Sequence, residues 1–230
     1  MGGEKLRAIL LGSCIKPQQL SVLLPLLKIA PTDYLVGVDD GVRIWLECGF
    51  EPNFAVGDWD SYQGSLEVLE GIPHLTLKTE KDRSDLYYAA QAAIQMGAQE
   101  LICLGVTGGR TDHHLAAIYD LSEIASKKLG KSLRSIQIQA VEAEYHFLSA
   151  KSPLWKRTLP PDKLISFFAM GGPARGVSLT GFRYPLKNEV LLPSSRGLSN
   201  QVLKGKCEVR LRKGQLLVIM PRNGFNSSVS

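Results

Sequence analysis

The sequence predicts an α/β domain followed by an all-β one: a doubly wound, Rossmann-like parallel sheet over residues 1–140 and an antiparallel β-sandwich over residues 141–230. Three observations carry this. Up to about residue 140, short apolar runs alternate with segments of helical period, the pattern of a parallel sheet with crossover helices. Glycines stand just after four of those helical segments, where a left-handed cap favours them. Beyond residue 140 the helical period disappears, and short apolar stretches are separated by Gly, Pro and Ser turns.

In order, residues 7–12, 34–38, 54–57, 74–78, 101–106 and 135–141 read as buried strands. Residues 17–29, 42–48, 65–70, 85–96 and 113–129 read as the helices between them, with Gly49, Gly71, Gly97 and Gly130 after the last four. Leu115, Ile118, Leu121, Ala125 and Leu129 mark one face of the final helix. In the second half, strands are expected at 144–149, 164–170, 176–184, 197–203, 207–211 and 216–220, with Lys213-Gly214 as a hairpin turn between the last two.

Composition excludes several classes. Apolar content of 44% and charged content of 21% are those of an ordinary globular protein. No apolar run approaches the roughly 18 residues that span a bilayer, so no membrane partner is expected. The opening stretch is too short for a signal peptide, and Leu6 stands where a myristoylation motif needs Ser or Thr. Cys14, Cys48, Cys103 and Cys207 have no paired spacing for zinc or redox work, and Cys103 in its apolar run reads as a buried thiol. A cytoplasmic enzyme is the expectation. The net charge of +5 conceals an asymmetry: residues 1–140 carry 13 Lys and Arg against 17 Asp and Glu, and residues 141–230 carry 14 against 5. A nucleic-acid surface is one reading of the basic half. Strand alternation is the better one, because Lys204, Lys206, Arg210 and Arg212 share one parity and Cys207, Val209 and Leu211 the other. No nucleic-acid partner is expected.

The chemistry lies in five aspartates crowded into three short loops. Asp58 and Asp60 flank Trp59, Asp82 and Asp85 follow Lys81, and Asp112 follows Gly108, Gly109 and Arg110. Gathered carboxylates raise each other's pKa unless a cation lies between them. Hard oxygen ligands beside Gly, Lys and Arg suit Mg²⁺ carrying a phosphorylated substrate better than zinc. Two apart in an extended segment, Asp58 and Asp60 project to one side and can share a metal. Asp82 and Asp85 also stand at N-cap and N3 spacing for the next helix, and capping alone could explain them. Lys81 adds a phosphate-binding cation. Gly108 and Gly109 let backbone approach a nucleotide closely, and Arg110 can fork onto phosphate oxygens. Asp112 reads equally as an N-cap, and His113 and His114 lack the spacing of a metal pair.

The order of these loops resembles the thiamine pyrophosphokinase family. That family has an Asp-Gly-Gly-Ala-like turn, then Gly-Asp-x-Asp-Ser, Lys-Asp-x-Thr-Asp and Gly-Gly-Arg-x-Asp-His. Here Asp39-Asp40-Gly41-Val42, Gly57-Asp58-Trp59-Asp60-Ser61, Lys81-Asp82-Arg83-Ser84-Asp85 and Gly108-Gly109-Arg110-Thr111-Asp112-His113 follow in the same order. Gly181-Phe182-Arg183-Tyr184-Pro185-Leu186 and Gly197-Leu198-Ser199-Asn200 resemble the family's later segments. The resemblance implies an ATP:thiamine pyrophosphotransferase that makes thiamine diphosphate and AMP. It implies Asp58, Asp60 and Asp82 on Mg²⁺, with Asp85 a fourth ligand or an outer partner. Lys81 and Arg110 would contact ATP phosphates, and Asp39, Gly108, Gly109, Asp112 and His113 would shape the nucleotide site. Ser199 and Asn200 would hold thiamine near the interface of a homodimer. Asp60 and Asp85 are candidate general bases. A non-catalytic nucleotide or thiamine sensor on the same fold is the alternative, which loss of a metal carboxylate would favour; none is lost. Three departures stand out: Asp40 in place of Gly, Ser84 in place of Thr, and Ala117 where the family often has Asn. Trp155 is read as a core residue rather than a stacking platform for thiamine.

Overall fold

A computed structural model describes residues 6–60, 62–65, 67–127 and 133–222, so Ser61, Leu129 and Gly130 lie outside the described residues. The chain divides into two units, one made of most residues up to Val141 and the other of Glu142 onward together with Ala125–Lys127.

The first unit runs β1 (Arg7–Leu11), α1 (Pro17–Leu27), β2 (Tyr34–Val38), α2 (Gly41–Glu47), β3 (Phe54–Gly57), α3 (Glu67–Glu70), β4 (His74–Thr76), α4 (Asp85–Gln95), β5 (Glu100–Leu104), α5 (Thr111–Ser126) and β6 (Ser135–Gln139). Its strands lie in the order β4-β3-β2-β1-β5-β6, and every pair is parallel. The order reverses between β1 and β5, which sets a switch point at their carboxyl ends. The apolar runs of β1, β2, β3 and β5 are buried, whereas β4, expected as a buried strand at 74–78, is shorter and exposed at each residue. Ile9 and Leu11 pack with Leu20, Leu23 and Leu27 of α1 and with Ile44 and Trp45 of α2. Each such side chain contributes about 1.5–3 kcal/mol. The Trp45 indole N–H donates to Val36 O at 3.2 Å, so its polar edge stays satisfied. Gly49 and Gly97 are left-handed just after α2 and α4, but Gly71 is not left-handed after α3. The face of α5 also differs from expectation. Ala117, Asp120, Leu121 and Ile124 are buried, whereas Leu115 and Tyr119 are exposed. The buried stripe is rotated toward small and polar positions, which periodicity of large apolar residues could not reveal.

The second unit comprises β7 (Ala143–Ser149), β8 (Leu154–Thr158), β9 (Leu164–Thr180), β10 (Leu186–Leu191), a 3-10 turn (Ser195–Gly197), β11 (Asn200–Gln201), β12 (Lys206–Arg210) and β13 (Lys213–Pro221). The order is β7-β13-β9-β12-β8, with β10 and β11 also on β9, and these pairs are antiparallel. The two strands expected at 164–170 and 176–184 are one long β9, which passes through left-handed Gly171, Gly172 and Gly176 without ending. Lys213-Gly214 is no hairpin turn. β12 and β13 each pair with β9, and Gly214, at φ +94°, sits at a register shift in β13. Its glycine is needed because a Cβ there would meet Pro173 O at 2.6 Å. The expected alternation along β12 is present: Cys207, Val209 and Leu211 are buried, and Lys204, Lys206, Arg210 and Arg212 are exposed.

Candidate active site

The site grows out of the carboxyl ends of the first unit's strands. After β1 and β5 the chain continues through Gly12 and Gly105, whose backbones touch. A Cβ on Gly12 would lie 2.7 Å from Gly105 O, and one on Gly105 would lie 2.5 Å from Gly12 O. Gly12 N donates to Leu104 O and Cys14 N to Gly105 O, both at 2.8 Å. Beside this bare backbone opens a cleft of about 350 Å³, walled by Cys14, Lys81, Asp85, Val106, His113 and Ala116 among others.

Asp39 follows β2 directly, with its backbone in the left-handed region at φ +49°. Asp58 follows β3, and Asp85 opens α4. Carboxylate oxygens of Asp39, Asp58 and Asp85 all lie within 4.8 Å of one another. Gly57 makes the crowding possible, because a Cβ there would come within 2.3 Å of Asp39 Oδ1 and 3.1 Å of the Trp59 ring. Trp59 turns back over Gly57 at φ +64°, and its indole N–H donates to Thr76 Oγ1 at 3.0 Å. A bulky residue holds that conformation only where its surroundings fix it.

Lys81 reaches into the group. Its ammonium donates to Asp58 Oδ2 at 2.5 Å and lies 3.1 Å from Asp85 Oδ1, an ion-pair distance without hydrogen-bond alignment. One ammonium among three carboxylates leaves the group negative. Burial first, then the charges of Asp85 and Asp58, push the Asp39 carboxyl up to about 7. Burial also raises Asp85, against the pull of Lys81. At Asp58 burial acts upward too, but the Lys81 hydrogen bond, the backbone N–H of Asp60 and the Lys81 charge together leave it below its ordinary value. Asp39 Oδ1 is buried and accepts no hydrogen bond.

The structure brings together Asp39, Asp58, Asp85 and Lys81 of the residues expected at the site. Asp60 and Asp82, expected beside Asp58 on the metal, are exposed and outside the three-carboxylate group. The reason is local: the left-handed Trp59 breaks the extended run that would have put Asp58 and Asp60 on one side, and Asp60 instead accepts from Thr79 Oγ1 at 3.3 Å. The cap of α4 is neither Asp82 nor Asp85 but Ser84, whose hydroxyl accepts from Tyr87 N at 3.3 Å. Asp40, the extra acid of the turn, is held by Arg43 at 2.5 Å and by Gln63 N at 3.2 Å, outside the group.

In the third loop Gly108 and Gly109 are left-handed at φ +89° and +57°, and Gly109 passes over Cys14. Arg110 and Asp112 are exposed and paired at 2.6 Å, which with the backbone N–H of His113 holds the Asp112 carboxyl down at about 2. Thr111 rather than His113 starts α5, so Asp112 sits inside its first turn instead of capping it. His113 lines the cleft.

In the second unit Ser199 is exposed at φ +55°, and its N–H donates to Ser166 Oγ at 3.0 Å. Asn200 is buried, and its amide is occupied by backbone. Oδ1 accepts from Tyr184 N at 3.0 Å and Gln201 N at 2.9 Å, and Nδ2 donates to Tyr184 O at 2.8 Å. Asn200 therefore fastens two segments of this unit to one another. Trp155 is buried in the unit's core with the His146 ring 5.8 Å away.

Sequence reasoning missed the turn Gly12-Ser13-Cys14 and Gly105, although a glycine ending one strand and another inside a strand-like run both signal close backbone approach. It also missed Asp120, a buried acid whose only sequence signal is its place beside Leu121 on α5.

A parallel sheet with a glycine-floored cleft at its switch point and acids clustered beside it defines an α/β ligand-binding protein of the nucleotide-binding type. The match to known families is specific. Residues 27–131 match the family model described as thiamin pyrophosphokinase, catalytic domain, and residues 156–216 the one described as thiamin pyrophosphokinase, vitamin B1 binding domain. The thiamine pyrophosphokinase of Bacillus subtilis (strain 168) is 30% identical over 192 residues, covering 80% of this chain and 85% of that protein. This chain belongs to the thiamine pyrophosphokinase family. Solved structures agree in fold. A thiamine pyrophosphokinase from Bacillus subtilis superposes with a TM-score of 0.77 at 24% identity, covering 95% of this chain and all of the other. The yeast enzyme superposes at 0.68 and 13% identity, covering 96% and 88%.

Proposed function

We propose that this chain transfers the pyrophosphoryl group of ATP to the hydroxyl of thiamine, giving thiamine diphosphate and AMP. The observation that carries the reading is the group of Asp39, Asp58 and Asp85 around Lys81, beside the cleft at the strand ends. The thiamine hydroxyl oxygen bonds to the β-phosphorus, the bond from that phosphorus to the α–β bridging oxygen breaks, and AMP departs.

The residues fit a hard divalent cation: the donors are all carboxylate oxygens, and the buried Asp39 Oδ1 has no hydrogen-bond partner. Asp39, Asp58 and Asp85 would hold Mg²⁺, which neutralises charge developing on the phosphate oxygens. The chain's own groups do the rest. Lys81 holds the transferred group, and Arg110 forks onto phosphate oxygens. Gly12, Gly105, Gly108 and Gly109 present backbone to the nucleotide without side chains in the way. Asp60, exposed and outside the group, is available to take the hydroxyl proton, a minor demand in a loose phosphoryl transition state. Ser199 contacts thiamine, Asn200 holds the segment that carries it, and the working form is a homodimer with thiamine near the subunit interface. Incubating the pure chain with ATP, Mg²⁺ and thiamine should release AMP and thiamine diphosphate in equal amounts. ADP as the nucleotide product, or no turnover, would rule the reading out.

A further inference from the structure

We propose that Asp120 is a positioning residue for the metal-binding carboxylates, acting through Ser84 on Asp85; this rests on the function proposed above. Asp120 lies on α5, 36 residues beyond Ser84, and is 7% exposed. Its Oδ2 accepts from Ser84 Oγ at 2.5 Å. Ser84 at the same time caps α4 by accepting from Tyr87 N, and the next residue is Asp85. The one hydroxyl is thus fixed from two sides. Its donor direction belongs to α5 and its acceptor direction to α4, so the first turn of α4 has one orientation. Arg83, one residue earlier, is tied to the same helix by Glu123 at 2.9 Å and stands 3.9 Å from Asp120. Burying a carboxylate is unfavourable, and capping α4 needs only Ser84. What Asp120 adds is aim: Asp85 must keep its place within 4.8 Å of Asp39 and Asp58 although all three repel one another. Asp120 makes no bond to Asp85 itself; it acts by fixing the residue before it, as groups outside a ligand set orient the ligands within it.

The test compares wild type with Asp120→Ala, Asp120→Asn and Ser84→Ala in the full chain. Mn²⁺ binding is followed by electron paramagnetic resonance without substrates, and turnover is followed under Mg²⁺ titration with thiamine and ATP saturating. Asp120→Ala should weaken Mn²⁺ binding and lower kcat by about tenfold each, leaving the thiamine KM within about twofold of wild type. Asp120→Asn keeps an oxygen for Ser84 Oγ and should recover most of both losses. Ser84→Ala, which also loses the α4 cap, should show at least the Asp120→Ala defect, and the double variant should be no worse than Ser84→Ala. Wild-type Mn²⁺ affinity in Asp120→Ala, or equal damage in the Ala and Asn variants, would overturn the proposal. If Asp120→Ala does not fold, unchanged Mn²⁺ affinity in Ser84→Ala overturns it. Failure of wild type to make thiamine diphosphate would count against the proposed function instead, because the Mn²⁺ measurement stands without turnover.

Discussion

Replacing Asp39 by Asn tests the charge crowding at the site directly. The Asp39 carboxyl is pushed from 3.8 up to about 7, by burial first and then by Asp85 and Asp58. Three pK units at about 1.4 kcal/mol each set a ceiling near ~4 kcal/mol on the penalty for ionising it in the folded chain. Solvent reaches part of the group, so about 1–2 kcal/mol is the expected magnitude at pH 8. The sign follows from a raised acid pKa: the folded chain holds the proton longer than the unfolded one. The stability linked to Asp39 is therefore full below 3.8 and lost as pH rises through about 7. Asn keeps the shape, accepts the left-handed backbone at φ +49° and carries no charge. In metal-free thermal melts the Asn variant should exceed wild type by about 2–8 °C at pH 8 and by less at pH 5, taking roughly 2–4 °C per kcal/mol. Turnover with Mg²⁺ should meanwhile fall severely. A lower melting temperature at pH 8, or a gain independent of pH, would refute the crowding argument.

Asp58→Asn should cut turnover at least about a hundredfold while circular dichroism stays unchanged, since several kcal/mol of charge stabilisation goes with it. Arg110→Ala should raise the ATP KM, and Ser199→Ala the thiamine KM; steady-state kinetics showing the reverse would redraw the site. Asn200→Ala should act mainly on folding. It removes the buried Asn200 amide that bonds both the N–H and the C=O of Tyr184, so urea denaturation should register a loss of about 1–3 kcal/mol.

Much of this arrangement was legible in the chain. β2 and β3 fall on their expected residues because parallel strands buried on both faces are continuous apolar runs bounded by polar turns. Asp58, Asp85 and Lys81 were legible as charge gathered just after such runs. Asp39 was legible only by family resemblance, since one acid in a turn has no distinctive spacing. The expectation that Asp58 and Asp60 project to one side rested on an extended backbone that Trp59 interrupts, and a left-handed tryptophan leaves no mark in sequence. In the second unit β8 and β10 escaped notice for a related reason. β10 carries Lys187, Asn188 and Glu189, with Asn188 left-handed, and pairing with β9 overrides its weak strand propensity. The role of Asn200 could not be read either, because an amide that contacts a ligand and one that staples a backbone look alike in a string of letters.

The contact between Gly12 and Gly105 constrains how such a site can change. Each residue stands where the other's β-carbon would have to go, so neither can be exchanged first and repaired by the other later. Single-step drift is closed at both positions, and a lineage that keeps this floor must keep both glycines together. Variation in what the cleft accepts then has to enter through its walls. Cys14 and Ala116 line it on side chains that can grow or change polarity, whereas the floor offers none. A programme of directed evolution aimed at other nucleotides would do best to randomise those two positions and leave the glycine pair untouched.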